Sequence, residues 1–433
     1  MKMLYENLGI NDRGHLTFGG MDTVALAGQY GTPLLLMDEQ RLRARCREFK
    51  AAMAAYLPAG SMPLYASKAL SFKGMYRIMT QEQMGVDVVS PGELHTAVSA
   101  GFPMENAYFH GNSKTDGDIR FAMEHGIGCI VSEVQDEIDA IDREAARQGI
   151  CQNVLLRLCP GIDPHTHVKI NTGSIDCKFG VVIENGQAME LVRHTLTKKN
   201  IRLVGFHCHV GSQLFDTISY CDAAQVMFRF LAQVKQVLGM EFPILNLGGG
   251  MAVPYIASDA KMDYTEFIRQ VGQFVDDQCQ QLQLTPPAIL MEPGRSIVGD
   301  SGITLYQVTG LKKITDYKSY VSVDGGMSDN PRYTLYESDY TILCANRMNA
   351  PQDFVCTIAG RCCESGDLIQ ENVTIAEPQR GDTIAVLTTG AYNYSMASNY
   401  NRIPRPPVVM VNNGASYVAV RRENFDDLTQ FDM

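Results

Sequence analysis

Short apolar runs alternate with longer amphipathic stretches through the middle of the chain. The runs lie at residues 64–67, 86–89, 107–110, 129–131, 154–159, 203–207, 244–247 and 288–291. Apolar residues recur at the spacing of one helix face at residues 92–100, 133–147, 187–198, 222–238 and 264–282. Strands that alternate with helices pair in parallel, because each helix carries the chain back across the sheet. About eight such units predict an α/β fold of the (β/α)8 barrel type.

The pattern changes after Gly302, where short runs of β-branched and aromatic residues replace the alternation. These runs, at residues 304–309, 320–323, 354–358, 383–387 and 408–411, predict a second, mostly β domain. We therefore place the barrel at residues 35–299 and the β-rich domain at residues 300–433. The N-terminal segment 1–34 is predicted to join the second domain, with residues 15–18 as a candidate strand of it.

The composition suits a globular protein with two domains and argues against two kinds of partner. The 433 residues are 45% hydrophobic and 20% charged, with a formal net charge of -11. Nucleic acids and anionic membranes require concentrated positive charge, and the chain has no run of Lys and Arg. Residues 1–10 lack the apolar stretch of a signal peptide or spanning helix, so we expect a cytoplasmic protein. The 12 irregularly spaced cysteines are expected to be reduced thiols.

Lys68 is the most informative single residue, because it ends the first apolar run and precedes a helical pattern. A lysine that leaves a buried strand end faces a partly dehydrated site. Dehydration disfavours the ammonium form and makes the neutral, nucleophilic amine accessible. Such an amine can form a Schiff base with an aldehyde, although most lysines at strand ends are simply solvated.

Other conspicuous residues also occur at the predicted barrel strand ends, where barrel enzymes place their chemistry. Asp87 lies in the second run and is a candidate cofactor contact. The other residues follow later runs: His209, Gly211, Ser212 and Gln213 the sixth, Gly248, Gly249 and Gly250 the seventh, and Glu292, Gly294 and Arg295 the eighth. Consecutive glycines let backbone N–H groups approach an anion, and the loop after the eighth run adds donors, so this is a candidate phosphate site. The triplet matches neither the Rossmann pattern nor a P-loop, and alone it indicates only a tight turn.

Glu292 beside a phosphate site requires a different target, because a carboxylate repels phosphate. A protonated pyridine nitrogen is such a target, and the ion pair would keep that nitrogen cationic. His209 could lie flat against the same ring. An aldehyde-binding lysine, phosphate donors and a carboxylate for a ring nitrogen together predict pyridoxal 5'-phosphate, which acts as an electron sink for carbanions at the α-carbon of an amino acid.

A zinc site is the competing interpretation. The closely spaced histidines that suggest it are His165 with His167 and His207 with His209, with Asp163 or Asp216 as further ligands. This interpretation leaves the glycine triplet, Glu292 and Lys68 without roles, so no metal is predicted. His207 is interpreted instead as a polar residue that is satisfied within the strand end.

The ordered motifs of the chain resemble the diaminopimelate decarboxylase family, within the alanine-racemase-like class of pyridoxal phosphate enzymes. The similarity runs over nearly the whole chain. The matching segments are YASKA (65–69), HCHVGSQ (207–213), GGG (248–250), EPGRS (292–296), DGGMSD (324–329), CES (363–365), GAY (390–392) and SNYN (398–401).

The resemblance implies roles for residues of both predicted domains. Lys68 would bind the cofactor covalently, His209 would stack on its ring and Glu292 would pair with its nitrogen. The residues implied to surround the phosphate are Ser212, Gly248, Gly249, Gly250, Gly294, Arg295 and Tyr392. Those implied to bind the substrate are Arg295, Arg332, Tyr336 and Tyr392 at carboxylates and Glu364 at the distal ammonium. In this family the partner subunit of a dimer supplies the loop of Cys363 and Glu364, so a homodimer is expected by analogy.

The implied reaction converts meso-2,6-diaminopimelate to L-lysine and CO2, the last step of lysine biosynthesis. This substrate has an amino acid centre at each end, so Arg332 could clamp the remote carboxylate while Glu364 pairs with the remote ammonium. Cys363 is the candidate acid for the final protonation, since a thiol can deliver a proton near neutral pH. Cys362 is interpreted as a small buried apolar residue. Two departures from the family, both in loops, are Tyr333 and Val168 at positions that usually hold proline.

Three related functions are the alternatives. A pyridoxal-phosphate-dependent decarboxylase of ornithine, lysine or arginine would share the cofactor chemistry, but such enzymes tend to carry aspartate at the position of Glu364 and to lack the pattern from Arg332 to Tyr336. An amino acid racemase would need an acid or base on each face of the ring. A catalytically silent relative that binds a regulatory partner would be expected to lose Lys68 or the phosphate donors, and neither is lost.

Overall fold

The structure is a computed structural model, and it describes residues 3–162 and 178–433. The strands of these residues are β1 Leu8–Ile10, β2 Leu16–Phe18, β3 Met21–Asp22, β4 Leu34–Asp38, β5 Met62–Ala66, β6 Gly85–Val88, β7 Ala107–Phe109, β8 Cys129–Ser132, β9 Gln152–Cys159, β10 Val181–Val182, β11 Ile201–His207, β12 Ile244–Asn246, β13 Ala288–Met291, β14 Gly302–Ile314, β15 Lys318–Val323, β16 Ile342–Cys344, β17 Phe354–Ala359, β18 Leu368–Ile375, β19 Thr383–Leu387, β20 Val408–Asn412 and β21 Ala415–Val420. The α-helices are α1 Thr23–Tyr30, α2 Glu39–Tyr56, α3 Lys73–Gln81, α4 Pro91–Ala100, α5 Asp116–Glu124, α6 Gln135–Gln148, α7 Gln187–Leu196, α8 Ile218–Leu238, α9 Tyr264–Leu282, α10 Arg295–Val298, α11 Arg332–Tyr336 and α12 Phe425–Thr429.

The chain forms two compact units, which we call the barrel unit and the β unit. The barrel unit comprises Arg45–Ala252 and Lys261–Gly294. The β unit comprises Met1–Ala44, Val253–Ala260 and Arg295–Met433. Compared with the predicted boundaries at residues 35 and 299, the β unit also includes β4, residues 253–260 and residues 295–299.

A closed ring of parallel strands forms the barrel unit, which confirms the predicted fold. The strands follow the order β5, β6, β7, β8, β9, β11, β12 and β13, and β13 pairs with β5 to close the ring. The eight predicted runs correspond to these eight strands, with ends that differ by one or two residues. Closure brings the carboxyl ends of all eight strands to one end of the barrel, and side chains from distant parts of the sequence meet there.

Local signals in the sequence explain where individual barrel helices begin and end. The Ser90 side chain accepts the N–H of Glu93 at the start of α4, and Gly101, with φ of +76°, ends that helix. Helix α9 begins after the Asp263 cap and buries one face through Phe267, Val271 and Val275. Gly272 on that face allows close packing, because a Cβ there would lie 2.1 Å from the Tyr56 carbonyl oxygen.

The β unit contains a large mixed sheet and a small separate one. Strand β14 is central to the large sheet and pairs with β4, β15 and β19, while β20 pairs in parallel with β4. The predicted strand at residues 15–18 is observed as β2; it lies in the β unit, where it pairs with β1 and β3 in the small sheet. Strand β4, which begins at Leu34, lies in the large sheet.

Two further observations concern cysteines and membranes. Every cysteine within residues 3–162 and 178–433 is a free thiol. Within the same ranges no helix combines the length and apolar character that crossing a bilayer requires.

Candidate active site

Lys68 lies in a 3₁₀ turn, Ser67–Ala69, that directly follows β5. Two contacts of Ser67 fix this turn: its Oγ lies 2.5 Å from the Asp87 carbonyl oxygen and 2.8 Å from Glu93 Oε2. Glu93 also accepts the N–H of Val89 at 2.8 Å, so the lysine turn is tied to the end of the neighbouring strand β6. Burial raises the pKa of Glu93, which the two hydrogen bonds oppose. The Lys68 side chain is partly buried, as the sequence predicts.

Glu292 follows β13, and its carboxylate has three side chains of other strand ends within 3.4 Å. Asn246 Nδ2 donates to its Oε1 at 2.7 Å, and His110 Nε2 lies 3.0 Å from the same oxygen. His207 Nε2 lies 3.3 Å from Oε1 and 3.4 Å from Oε2. Burial alone would raise the pKa of Glu292, but the two histidines hold it well below its usual range. Glu292 is therefore an ionised carboxylate that pairs with Asn246 and His207 by hydrogen bonds, while Nε2 of His110 lies at ion-pair distance without hydrogen-bond geometry.

Asp87 lies in β6, as predicted, and is 1% exposed. Nε2 of His110 lies 3.9 Å from its Oδ1, and neither carboxylate oxygen has a hydrogen-bond partner among the described residues. Burial raises the pKa of Asp87, while the charges of His110 and Lys68 lower it and that of Glu292 raises it further. Its assignment as a cofactor contact stays a prediction.

The glycine triplet after β12 forms a tight turn against the loop of Glu292. Gly248 and Gly250 have φ of +71° and +113°, which side-chain-bearing residues rarely adopt. A Cβ on Gly249 would lie 2.1 Å from the Glu292 carbonyl oxygen. The Gly249 N–H donates to Nδ1 of His209 at 3.2 Å, and the Gly248 N–H to Oδ1 of Asn246 at 2.8 Å. The turn therefore sets the orientation of both of these side chains.

His209 is partly buried, and its Nδ1 acts as an acceptor, which requires a neutral ring that carries its proton on Nε2. Burial, and then the charges of Lys68 and Arg157, hold its pKa well below the usual range. A neutral, flat imidazole is suited to stacking against an aromatic ring. Ser212 is partly exposed in the loop that follows, and Gly294 fits closely against the lysine turn, since a Cβ there would lie 3.0 Å from the Cβ of Ala66.

These groups suit a phosphorylated pyridine aldehyde, because one amine, one ionised carboxylate, one neutral imidazole and a glycine turn are present in the same unit.

The zinc interpretation has less support. Its residues His165, His167 and Asp163 lie outside the described residues, as does Val168, and Asp216 is exposed and accepts the N–H of Ile218. His207 is only partly satisfied as a polar residue, because its Nε2 pairs with Glu292 while its Nδ1 has no hydrogen-bond partner among the described residues. The ligand atoms of His110, His207 and Glu292 lie within 4.8 Å of one another, a grouping that was not predicted from the sequence.

The β unit contains its own cluster, in which two arginines surround one tyrosine. Arg295 Nη1 donates to the hydroxyl of Tyr255 at 2.5 Å, and Arg332 Cζ lies 3.9 Å from the centre of the same ring. Arg295 Cζ also lies 4.7 Å from the ring centre of Tyr392. Burial would raise the pKa of Tyr255, but the two guanidinium groups lower it below its usual value. Thus two of the predicted substrate residues, Arg295 and Arg332, contact Tyr255, and a third, Tyr392, lies against Arg295. Tyr336 is partly buried at the end of α11.

Cys363 and Glu364 lie in an exposed loop whose base is fixed by Asp367. The Asp367 carboxylate accepts the N–H groups of Met327 and Cys362, both at 2.6 Å. The N–H of Cys363 donates to Asn401 Oδ1 at 2.6 Å. Cys362 is 8% exposed, in agreement with its interpretation as a small buried residue, whereas the Cys363 side chain is exposed.

Several contacts of the site were missed from the sequence, namely those of Glu93, His110, Asn246, Tyr255 and Asp367. His110 and Asn246 had a usable signal, because each lies in the last two residues of a predicted strand run, where chemistry is expected. The departure Tyr333 has its hydroxyl 3.5 Å from Glu371 Oε2 at the surface of the β unit.

Comparisons with known proteins agree with this geometry. Residues 39–299 match the family described as pyridoxal-dependent decarboxylase, pyridoxal binding domain. Diaminopimelate decarboxylase of Bacillus subtilis is 43% identical over 425 residues, which cover 98% of this chain and 96% of that protein. The Staphylococcus aureus protein of the same name is 38% identical over 96% of this chain and 97% of that protein. A crystal structure of diaminopimelate decarboxylase from M. jannaschii in co-complex with L-lysine has a TM-score of 0.91 at 30% identity, covering 99% of this chain and 98% of that one.

The barrel, the mostly β unit and the family match together define the class of pyridoxal-dependent decarboxylases, which are carboxy-lyases. Within that class, the chain belongs to the diaminopimelate decarboxylase family.

Proposed function

We propose that this protein binds pyridoxal 5'-phosphate and decarboxylates meso-2,6-diaminopimelate to L-lysine and CO2. The observation that carries the proposal is the pairing of β13 with β5, which closes the barrel. It brings the ionised Glu292 and the amine of Lys68 to neighbouring strand ends. A carboxylate for a ring nitrogen and an amine for an aldehyde are the two groups that this cofactor needs from its protein.

Each barrel residue has a role that follows from its contacts. Lys68 supplies the amine that holds the cofactor, and its turn is fixed by Ser67. Glu292 would hold a proton on the ring nitrogen of the bound cofactor, and His209 would stack on its ring. Ser212, the Gly248 turn and Gly294 supply donors and space for the phosphate. The chemistry that the cofactor supplies is to accept the electron pair left at the α-carbon when CO2 departs.

The β unit supplies the groups that we propose for the substrate. Arg332 and Arg295 bind carboxylates, with Tyr336 and Tyr392 beside them, and Glu364 receives the distal ammonium. In support, Arg332 Nε has no hydrogen-bond partner among the described residues, so this donor is available to a ligand. Cys363 delivers the proton to the α-carbon, for which its exposed thiol is suited.

The substrate is tested by incubating the holoenzyme separately with meso-diaminopimelate, L-lysine and L-ornithine and measuring CO2. We expect release from diaminopimelate only. Faster release from ornithine or lysine would instead support the basic amino acid decarboxylases, and no release from any of the three would support a silent relative. Lys68→Ala is the control, because it should abolish both turnover and the borohydride-sensitive visible absorbance, whereas Cys363→Ala should slow turnover and retain the absorbance.

We further propose a homodimer in which each subunit supplies the loop of Cys363 and Glu364 to its partner. The exposure of both side chains in the single chain supports this assignment. Mixing the Lys68→Ala and Cys363→Ala proteins tests it, because a mixed dimer would contain one intact site. We expect recovery of up to about a quarter of wild-type activity, since half of the dimers are mixed and half of their sites are intact. A mixture that stays as slow as its two components would show that both residues act within one subunit.

A further inference from the structure

We propose that His110 and His207 are positioning residues, which clamp the Glu292 carboxylate between them and thereby keep a proton on the ring nitrogen of the bound cofactor. This inference rests on the proposed function only in that it requires pyridoxal phosphate. It does not depend on which amino acid is decarboxylated.

The first support is that the carboxylate is approached from separated strands of the ring. His110 follows β7, His207 ends β11 and Glu292 follows β13, and neither β7 nor β11 pairs with β13. The two imidazoles are 4.8 Å apart between ring centres and meet edge to face at 71°. Their Nε2 atoms lie 3.0 and 3.3 Å from Oε1 of Glu292. Two rings from different strands therefore contact the carboxylate, His207 through a hydrogen bond and His110 at ion-pair distance.

The second support is burial. His110, His207 and Glu292 are 3%, 1% and 4% exposed. An isolated carboxylate at this depth would take up a proton, because its charged form loses hydration. A protonated Glu292 could no longer hold a proton on a ring nitrogen. The histidines thus supply the stabilisation that the water would otherwise give.

The third support is that the remaining donor is already committed to the glycine turn. Asn246 gives its Nδ2 to Glu292 and its Oδ1 accepts the N–H of Gly248. The glycine turn therefore fixes the position of the Asn246 side chain, and the two histidines are the other groups that hold the carboxylate. Burial lowers the pKa of His207 to about 4, so this ring acts as a neutral N–H donor at neutral pH. The other charged groups around the cluster are Asp87, Lys68 and Arg157.

The test is nitrogen NMR of the cofactor itself. Apoenzyme is loaded with pyridoxal phosphate that carries ¹⁵N in the ring, and the ¹⁵N shift reports whether that nitrogen is protonated. We expect His110→Leu and His207→Leu to move the shift toward the unprotonated form and to weaken cofactor binding about tenfold, the lower end of losses seen for outer partners of metal ligands. His110→Gln and His207→Gln retain an amide donor and should stay close to wild type. Wild-type shifts in both leucine variants would overturn the proposal.

Controls separate this inference from the proposed function. Glu292→Gln should move the shift further than either leucine variant, since it removes the charge itself. If Glu292→Gln moves the shift and the leucine variants do not, the positioning role alone is wrong. If Glu292→Gln has no effect, or the wild type takes up no cofactor, the cofactor assignment is wrong and the positioning role with it. Should His110→Leu not fold, His110→Asn replaces it, because this shorter amide cannot reach Glu292 and should shift the signal while His110→Gln does not.

Discussion

The guanidinium group of Arg332 lies over the ring of Tyr255, with 3.9 Å between Cζ and the ring centre. The hydroxyl of the same tyrosine accepts a hydrogen bond from Arg295 Nη1 at 2.5 Å. Cation–π attraction and a charge-assisted hydrogen bond therefore act on one buried side chain. Tyr255 keeps two like charges at a defined separation, which a substrate with two carboxylates requires.

Replacing Tyr255 should weaken substrate binding in two steps. Tyr255→Phe removes only the acceptor of Arg295, so KM for diaminopimelate should rise about tenfold, because a hydrogen bond to a charged group contributes about 1.5 kcal/mol. Tyr255→Leu also removes the ring under Arg332 and should raise KM further. Steady-state kinetics of the holoenzyme measure both, and kcat should change less than KM.

Tyr340→Phe is the matched control for these variants. It removes a buried hydroxyl that is bonded to Asn330 and Asn393 and not to an arginine. We expect it to lower stability with little change in KM. Equal KM values for Tyr255→Phe and wild type would mean that Tyr255 only fills space.

The sequence allowed prediction of those features that depend on local pattern. Lys68, Glu292 and the glycine triplet could be placed because each follows a recognisable strand run, and a parallel barrel brings strand ends together. The contacts of His110 could not be predicted, because they depend on which strands face each other across the closed ring. Those of Tyr255 could not be predicted either, because residues 253–260 lie within the barrel part of the sequence but belong to the β unit. The partners of strand β2 could not be predicted, because a three-residue strand carries too little pattern to specify them.

Gly249→Ala should damage the barrel site although it adds a single methyl group. The new Cβ would lie 2.1 Å from the carbonyl oxygen of Glu292, so either the glycine turn or the Glu292 loop must move. We expect a loss of cofactor affinity of at least tenfold and a lower thermal unfolding midpoint. Gly310→Ala is the control, because a Cβ there meets nothing within 4 Å. If Gly249→Ala binds the cofactor as the wild type does, the turn is more compliant than its packing indicates.

The carboxylate of Asp367 should determine the geometry of the loop that carries Cys363. The carboxylate packs directly against two glycines. A Cβ on Gly326 would lie 2.4 Å from one of its oxygens, and a Cβ on Gly360 would lie 2.2 Å from the other. Asp367→Ala would leave the N–H groups of Met327 and Cys362 without their acceptor, each at a cost of about 1–3 kcal/mol. We expect slower decarboxylation and faster alkylation of Cys363, measured by mass spectrometry of the labelled peptide. Glu364→Ala, on the same loop, is the comparison. If Cys363 is labelled more slowly in Asp367→Ala than in Glu364→Ala, the loop is not loosened by the loss of Asp367.

Asp329 should make the stability of the protein depend on pH. It is buried, accepts hydrogen bonds from the Tyr306 hydroxyl and the Gly326 N–H, and has its pKa raised to about 7, chiefly by burial. A raised pKa means that the native state retains a proton that the unfolded chain releases above its ordinary value of 3.8. Stability should therefore fall as the pH rises from about 4 to about 7, by up to about 1.4 kcal/mol for each pH unit, and level off above that range.

Asp329→Asn isolates this contribution, because the amide cannot titrate. Other groups, among them His207 and Glu292, have lowered pKa values and therefore destabilise the protein as the pH falls. The quantity to follow is thus the difference in the free energy of unfolding between variant and wild type. Urea unfolding at intervals between about pH 5 and pH 8 should show Asp329→Asn gaining stability relative to wild type up to about pH 7. Asp316→Asn, at an exposed carboxylate of the same unit, should show a constant difference. A constant difference for Asp329→Asn as well would mean that Asp329 is already ionised throughout this range, with Tyr306 and Gly326 stabilising the charge.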